Sequence, residues 1–228
     1  MRFFKNIFYL FYPNICASCD NQLSDYENVL CLSCRYDLPL TNFIEFTPND
    51  IEKAFLGRVS IEFATSLLFY DREGVVQNLI HKLKYKGQQE IGVFLGNWLG
   101  NELLQCERLP KFDYIVPVPL HKNRLKKRGF NQVTKFGEQL SKILAVPMSD
   151  AVLLRKLDSG TQTVKHRIDR FKDLKEKFYI KNNELFKGKH ILLIDDVITT
   201  GATVEACIIK LQEIKDIKIS IATMAFTA

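Results

Sequence analysis

The sequence predicts an α/β fold: a largely parallel sheet flanked by helices, with a small metal-binding module at its N-terminal end. Three observations carry this. Short apolar runs alternate with helix-period stretches from residue 114 to the end, the pattern of strands joined by crossover helices. One such run, HILLIDD at His190–Asp196, ends in two adjacent acids followed by a small, hydroxyl-rich turn. Two CxxC pairs lie near the N-terminus.

The length of 228 residues suits one medium domain and an appendage. With 46% hydrophobic and 25% charged residues, a packed core is expected and disorder is not. The net charge of +6 is uneven: residues 1–58 hold 5 Lys/Arg against 7 Asp/Glu, and the remainder holds 27 against 19. The basic excess therefore lies in the larger part and suits a polyanionic ligand, although plain solubility asks for a charge of this size too. No internal repeat or low-complexity tract is visible.

At the N-terminus, Phe4, Ile7, Phe8 and Phe11 recur at helical spacing. The run Ile7–Tyr12 is short for a signal core, no small-residue cleavage site follows, and nothing nears the ~20 apolar residues of a membrane span. A short amphipathic helix docked on the protein is expected, with binding at a membrane surface as the alternative. A cytoplasmic location is expected. There, thiols stay reduced and paired cysteines more often bind metal than each other.

Cys16 and Cys19 form one CxxC pair, Cys31 and Cys34 the other, with eleven residues between. Each CxxC turn aims two thiolates at one point, and two turns supply the four sulfurs of a tetrahedral, closed, structural Zn2+ site. A unit this short builds no core of its own, so the metal supplies its folding energy. A disulfide pair or an iron–sulfur site are the alternatives. The expected division is a helix and zinc module at 1–40, a linker at 41–58 and the larger domain at 59–228. Cys106 and Cys207 lie in apolar helical contexts and read as buried thiols.

Within the larger domain, SIEFATSLLFYDREG reads as a strand leading to a turn, and VVQNLIHKLKYKG and QEIGVFLGNWLGNELLQ as helices. Tyr114–Pro119 is a short apolar strand, Phe130–Leu144 a helix, Ala151–Leu157 a strand, and VKHRIDRFKDL a helix. His190–Asp196 is a strand, Ala202–Ile214 a helix, and IKISIATMAF the closing strand. Ligands of such a sheet bind at the carboxyl ends of its strands.

Asp195 and Asp196 fall where the central apolar strand leaves the sheet. Thr199, Thr200, Gly201, Ala202 and Thr203 then turn into a helix. Free amides at a helix start, with a glycine permitting close approach, favour a phosphate. Two carboxylates would repel that phosphate unless they serve another part of the ligand. A ribose diol is the natural partner, and Mg2+ nearby would reconcile the charges. A plain helix start capped by Thr200 or Thr203 is the alternative. The stretch thus describes a ribose 5-phosphate, and it resembles the 5-phosphoribosyl 1-pyrophosphate (PRPP) motif of type I phosphoribosyltransferases.

The resemblance extends along the chain. The double CxxC, HKLKYKG at His81–Gly87, PVPLHKNRLKKRGFNQ at Pro117–Gln132 and DDVITTGAT occur in an order similar to that of the ComF family of competence proteins. The GntX-type proteins of gluconate metabolism share this layout. The resemblance implies a type I phosphoribosyltransferase-like domain carrying a zinc finger. It also implies a role in natural transformation and in handling single-stranded DNA beside helicase-type uptake proteins. It places Asp195 and Asp196 at the catalytic centre, and Val118, Pro119, His121 and Arg124 near the diphosphate. A mobile loop at Arg155–Arg167 would add Lys156, Gln162 and Arg167. Of the basic run, His121 and Arg124 are expected to face the pocket, and Lys126, Lys127 and Arg128 to face outward toward DNA. Phe130, Tyr85 and Phe171 stand near cations, where they would stack on bases or serve as core and rim aromatics. Two functions follow: a transferase with Mg2+ and PRPP, or a non-catalytic nucleic-acid adaptor built on the same pocket. Nothing in the sequence specifies an acceptor base.

Overall fold

The computed structural model describes residues 13–156 and 176–228. The N-terminal helix, Gln162, Arg167, Phe171 and the helix expected after residue 163 lie outside the described residues.

Four parallel strands form the central sheet. They are β1 (Phe63–Phe69), β2 (Tyr114–Pro117), β5 (His190–Ile198) and β6 (Lys218–Phe226), in the order β1-β6-β5-β2. Strand β5 is inner, paired in parallel with β6 on one side and β2 on the other. An inner strand buried on both faces needs an unbroken apolar run, and Ile191–Ile194 supplies it with every side chain fully buried. Alternate residues serve alternate faces. Leu192 and Ile194 join one core, and Ile191 and Leu193 the other.

The first core lies beneath helices α3 (Val75–Tyr85), α4 (Glu90–Leu104) and α6 (Thr134–Leu144). Helix α4 crosses α6 on small residues: a Cβ at Gly96 would stand 2.8 Å from the Phe136 carbonyl oxygen. The cysteine module, with its short helix α1 (Leu32–Tyr36), packs on the same side. Cys16, Ala17, Leu30 and Leu38 share one cluster with Leu79 and Leu83 of α3, and Asn78 of α3 donates to the Ser18 carbonyl at 3.2 Å. The second core lies beneath α7 (Ala202–Leu211) and α2 (Asp50–Phe55).

Helix α2 corrects the reading of residues 41–58 as a linker. Asn49 and Glu52 close a capping box at its start. Phe43, Ile51 and Phe55 are buried, and Phe43 packs edge-on against Phe69 and Phe226. Arg108 fastens the segment, pairing with Glu52 at 2.8 Å and donating to the Phe43 carbonyl at 2.7 Å. The segment's helix is short and its apolar residues are scattered, so no long periodicity announced it.

Other boundaries differ as well. Strand β2 stops at Pro117. The basic run, to which the sequence reading gave no element, forms helix α5 (Lys122–Arg128), and α6 begins at Thr134 instead of Phe130. The strand expected at Ala151–Leu157 is β3 (Leu153–Arg155). It does not join the parallel sheet but pairs antiparallel with β4 (Phe178–Ile180), a strand the sequence reading missed.

Candidate functional site

The site begins with unequal strand lengths. Pro117, the last residue of β2, pairs with Ile194, so Asp195 is the first residue of β5 beyond that neighbour. On the other side β5 stays paired with β6 through Ile198. The acid pair thus sits on a fixed strand at a notch, two residues further inside the strand than expected. The loop after β2 is held back to β5 by Val118 N–H donating to the Ile194 carbonyl at 2.9 Å. Asn131 clamps it by donating to the Val118 carbonyl at 3.1 Å.

A cavity of about 520 Å3 opens at the notch, with Asp195, Asp196 and Val197 on one wall. Both acids are buried. Burial, then the neighbouring charge of Asp196, push the Asp195 carboxyl up to about 8; the Asp196 N–H and the charges of Lys84 and Arg155 pull the other way. Asp196 Oδ1 meets Lys84 Nζ at 3.0 Å, while its Oδ2 has no hydrogen-bond partner among the described residues. Five cationic side chains line the cavity: Lys84, Arg124, Lys127, Arg128 and Arg155. Arg128 donates to Gln132 Oε1 at 2.7 Å and lies over the Tyr85 ring at 5.1 Å.

Helical phase sorts the basic run differently from the expected order. At 100° per residue, Arg124, Lys127 and Arg128 share one face of α5, and it lines the cavity. Lys122 and Lys126 lie on the opposite, exposed face. Lys127 and Arg128 therefore do not point outward as expected. His121 does not line the cavity either: it is buried, and its Nδ1 caps α5 by accepting from Asn123 N–H at 3.2 Å. Val118 and Pro119 line the cavity as expected. Lys156 is exposed outside it, and its neighbour Arg155 lines it instead.

The turn after β5 opens α7 as expected. Gly201 takes a φ of 74°, the left-handed region. Neither threonine caps in the standard way: Gly201 is the N-cap residue and supplies no side chain, and Thr200 Oγ1 accepts only a long 3.4 Å bond from Ala202 N–H. Thr203 lines the acid cavity, whereas Thr199, Thr200 and Gly201 line a second void of about 470 Å3, with Tyr70 and Arg72 on its wall. Ala202 lines neither. A Cβ at Gly201 would stand 3.0 Å from Phe55, and Arg58 pairs with buried Glu205 in the first turn of α7. The segment expected to be a linker thus backs the turn.

The cavity-lining residues that sequence reasoning gave no role include Lys84, Arg155 and Gln132, whereas Tyr85 was read as an aromatic beside cations. Lys84 and Tyr85 belong to the HKLKYKG motif, and Gln132 ends the RGFNQ motif, so the motifs were visible while the direction of their side chains was not.

The four cysteine sulfurs lie within 4.8 Å of one another, Cys19 and Cys31 Sγ at 3.7 Å. A tetrahedron with Zn–S bonds of ~2.3 Å has edges of ~3.8 Å, so the cluster is compatible with zinc. Cys16 Sγ accepts from Ser18 and Cys31 N–H, each at 3.4 Å. Burial raises the Cys16 pKa, but backbone donors from Cys19, Cys31 and Ser18 outweigh it and lower the value to about 7. Burial, with Cys19 and Cys31 alongside, pushes Cys34 up to about 12. Four thiolates this close require a cation to ionise together. No helix among the described residues is long and apolar enough to cross a membrane.

The sequence matches the phosphoribosyl transferase domain family over residues 134–227. It is 35% identical over 129 residues to the DNA utilization protein YhgH of Escherichia coli (strain K12), covering 55% of this chain and 56% of that protein. The matched stretch is thus little more than half the length of that relative. Identity to the competence protein ComFC of Bacillus subtilis (strain 168) is 26% over 190 residues, 83% of this chain and 74% of that protein. Among solved structures, adenine phosphoribosyltransferase from Saccharomyces cerevisiae is similar over 61% of this chain and 69% of that chain, with a TM-score of 0.38 and 18% identity.

Replacing Cys34 by Ser should lower zinc per chain well below that of the parent, measured by elemental analysis of unoxidised protein. A metal-free parent would sink the zinc reading. The pH dependence of stability carries a signature of Asp195. Its folded value stands above the usual 3.8, so the folded state binds the extra proton. The associated stability is present in full below pH ~4 and is lost as pH rises toward 8, by a few kcal/mol on the order of the linkage relation. Asp195→Asn should flatten that fall in urea unfolding followed from pH 5 to 8.5.

Proposed function

We propose, for a chain that belongs to the competence protein F (ComF) family and carries a phosphoribosyl transferase domain, that the cation-ringed cavity binds PRPP and supports pentosyl transfer. One juxtaposition supports this reading most: the buried Asp195–Asp196 pair opens on the same cavity as five cationic side chains. A ligand that satisfies both needs hydroxyls and phosphates at a fixed separation. The Asp196 carboxylate and the Asp195 carboxyl oxygen would accept hydrogen bonds from the ribose 2′- and 3′-hydroxyls. Arg124, Lys127, Arg128 and Arg155 would hold the diphosphate. Thr203, which lines the same cavity, would take the 5-phosphate.

In the reaction a nucleophile bonds to the anomeric carbon. The carbon–oxygen bond to diphosphate breaks, and its electron pair leaves with the diphosphate. The residues contribute by orienting the sugar and by stabilising the charge that grows on the leaving group. Mg2+ would supply further charge neutralisation there. The acid pair offers oxygen donors of the right chemistry, but Lys84 already stands at one of them, so the diphosphate is where the ion would arrive.

A second reading is favoured by the outer face of α5. Lys122 and Lys126 are exposed and turned away from the cavity, and the relatives carry names from DNA utilization and competence. In this reading the exposed face follows the phosphates of single-stranded DNA, beside helicase-type uptake proteins, in the cytoplasm.

Calorimetry separates the two. Asp195→Ala with Asp196→Ala should cost about tenfold or more in PRPP affinity for each charge-assisted hydrogen bond lost, with circular dichroism unchanged; unaltered PRPP binding would refute the pocket. Lys122→Ala with Lys126→Ala should instead weaken single-stranded DNA binding and flatten its salt dependence by ~0.7 per lost phosphate contact. PRPP affinity should stay put, and an unchanged salt slope would remove the DNA track.

A further inference from the structure

We propose that Lys84 is the resident counter-ion of this pocket, taking at Asp196 the place a divalent cation would otherwise fill, so that the diol half of the ligand is held without Mg2+. The inference rests on the pocket assignment above and narrows how that pocket works.

The geometry starts from helix α3. Leu79, Ile80 and Leu83 bury their side chains in the core, which fixes the turn that carries Lys84. The chain leaves the helix at Gly87 with a φ of 71°. Lys84 reaches the acid pair from this anchored base, its Nζ 3.0 Å from Asp196 Oδ1. Both side chains are largely withdrawn from solvent, with exposures of 22% and 7%. Charge pairs gain strength where water is excluded, so the contact is part of the site and not a surface ion pair.

Each partner keeps capacity for a ligand. An ammonium has three protons, and Asp196 uses one. The remaining protons can be given to a hydroxyl oxygen. Asp196 Oδ2, buried and without a partner among the described residues, can accept a hydroxyl proton. Lys84 and Asp196 together thus offer a sugar hydroxyl both a donor and an acceptor. Mg2+ demands oxygen ligands at ~2.0–2.1 Å in a near-octahedral shell and dehydrates reluctantly. At this carboxylate it would stand beside a fixed positive charge in a water-poor site. The other four cations on the cavity wall add to that repulsion while suiting the phosphates of the ligand.

The test is calorimetry with D-ribose 5-phosphate, which lacks the diphosphate, in EDTA and in millimolar Mg2+. The parent should bind equally well in both buffers. Lys84→Met should lose about tenfold in EDTA, the loss of one charge-assisted contact, and should recover affinity when Mg2+ is added. Lys84→Arg should keep metal-free binding. A merely structural lysine would weaken binding alike in both buffers. If the parent binds ribose 5-phosphate only with Mg2+, or if Lys84→Met matches the parent in EDTA, the counter-ion role is wrong while the pocket stands. If the parent binds neither ribose 5-phosphate nor PRPP in either buffer, the pocket assignment itself falls. Should Lys84→Met fail to fold, the parent's own response to EDTA decides.

Discussion

Two adjacent acids buried near the carboxyl end of an inner parallel strand are costly, and much of the surrounding structure answers that cost. Removing a charge from water costs several kcal/mol unless the charge is paired or neutralised. Here the two acids are answered differently. Asp196 is paired with Lys84. Asp195 holds its proton to about pH 8 under burial and the charge of its neighbour. Strand β2 ends one residue short of the pair, which leaves the acids facing a cavity instead of another strand. Arginines and lysines from three separate elements, α3, α5 and β3, then converge on that cavity.

How much of this was legible depends on distance along the chain. Strand β5, the acids and the glycine turn occupy fourteen consecutive residues, His190–Thr203. Local pattern there sets local structure, and the reading held for the strand, the turn and the helix that follows. The cations were another matter. Lys84 and Arg155 reach Asp196 and its cavity only because the crossovers bring α3 and β3 to the same sheet end, which periodicity does not encode. The basic run failed for a different reason. Its residues were ranked by distance from β2, as in an extended loop, whereas α5 ranks them by angle. Arg128, farther along the chain than Lys126, comes round to the cavity and Lys126 does not. His121 looked like a ligand residue because it stands beside a strand end. It is used to start the helix that aims Arg124, Lys127 and Arg128.

The 41–58 segment shows how packing overrides composition. It carries a Pro, two Asn and scattered aromatics, a mixture that reads as connector. Arg108 and Asn49 bind its carbonyls and fold it against the sheet. Phe55 and Arg58 then reach the turn before α7 from behind. A positive-φ glycine against an aromatic ring leaves that turn little freedom, and a turn that does not have to reorganise is suited to holding a phosphate.

Helix α3 touches the cysteine module along its length and the acid pair near its C-terminal end. Asn78 holds the Ser18 carbonyl and Lys82 holds Asp20, while Lys84 two residues on holds Asp196. Leu30 and Leu38 of the module lie in the same apolar cluster as Leu79. The chain therefore has no clean seam. Excising the first forty residues would strip one flank of the helix that carries the pocket's lysine, and cutting at residue 58 would take away the support behind the turn. Truncations or domain grafts of this protein meet that constraint: the helix that carries Lys84 keeps its packing only with the cysteine-bearing end attached.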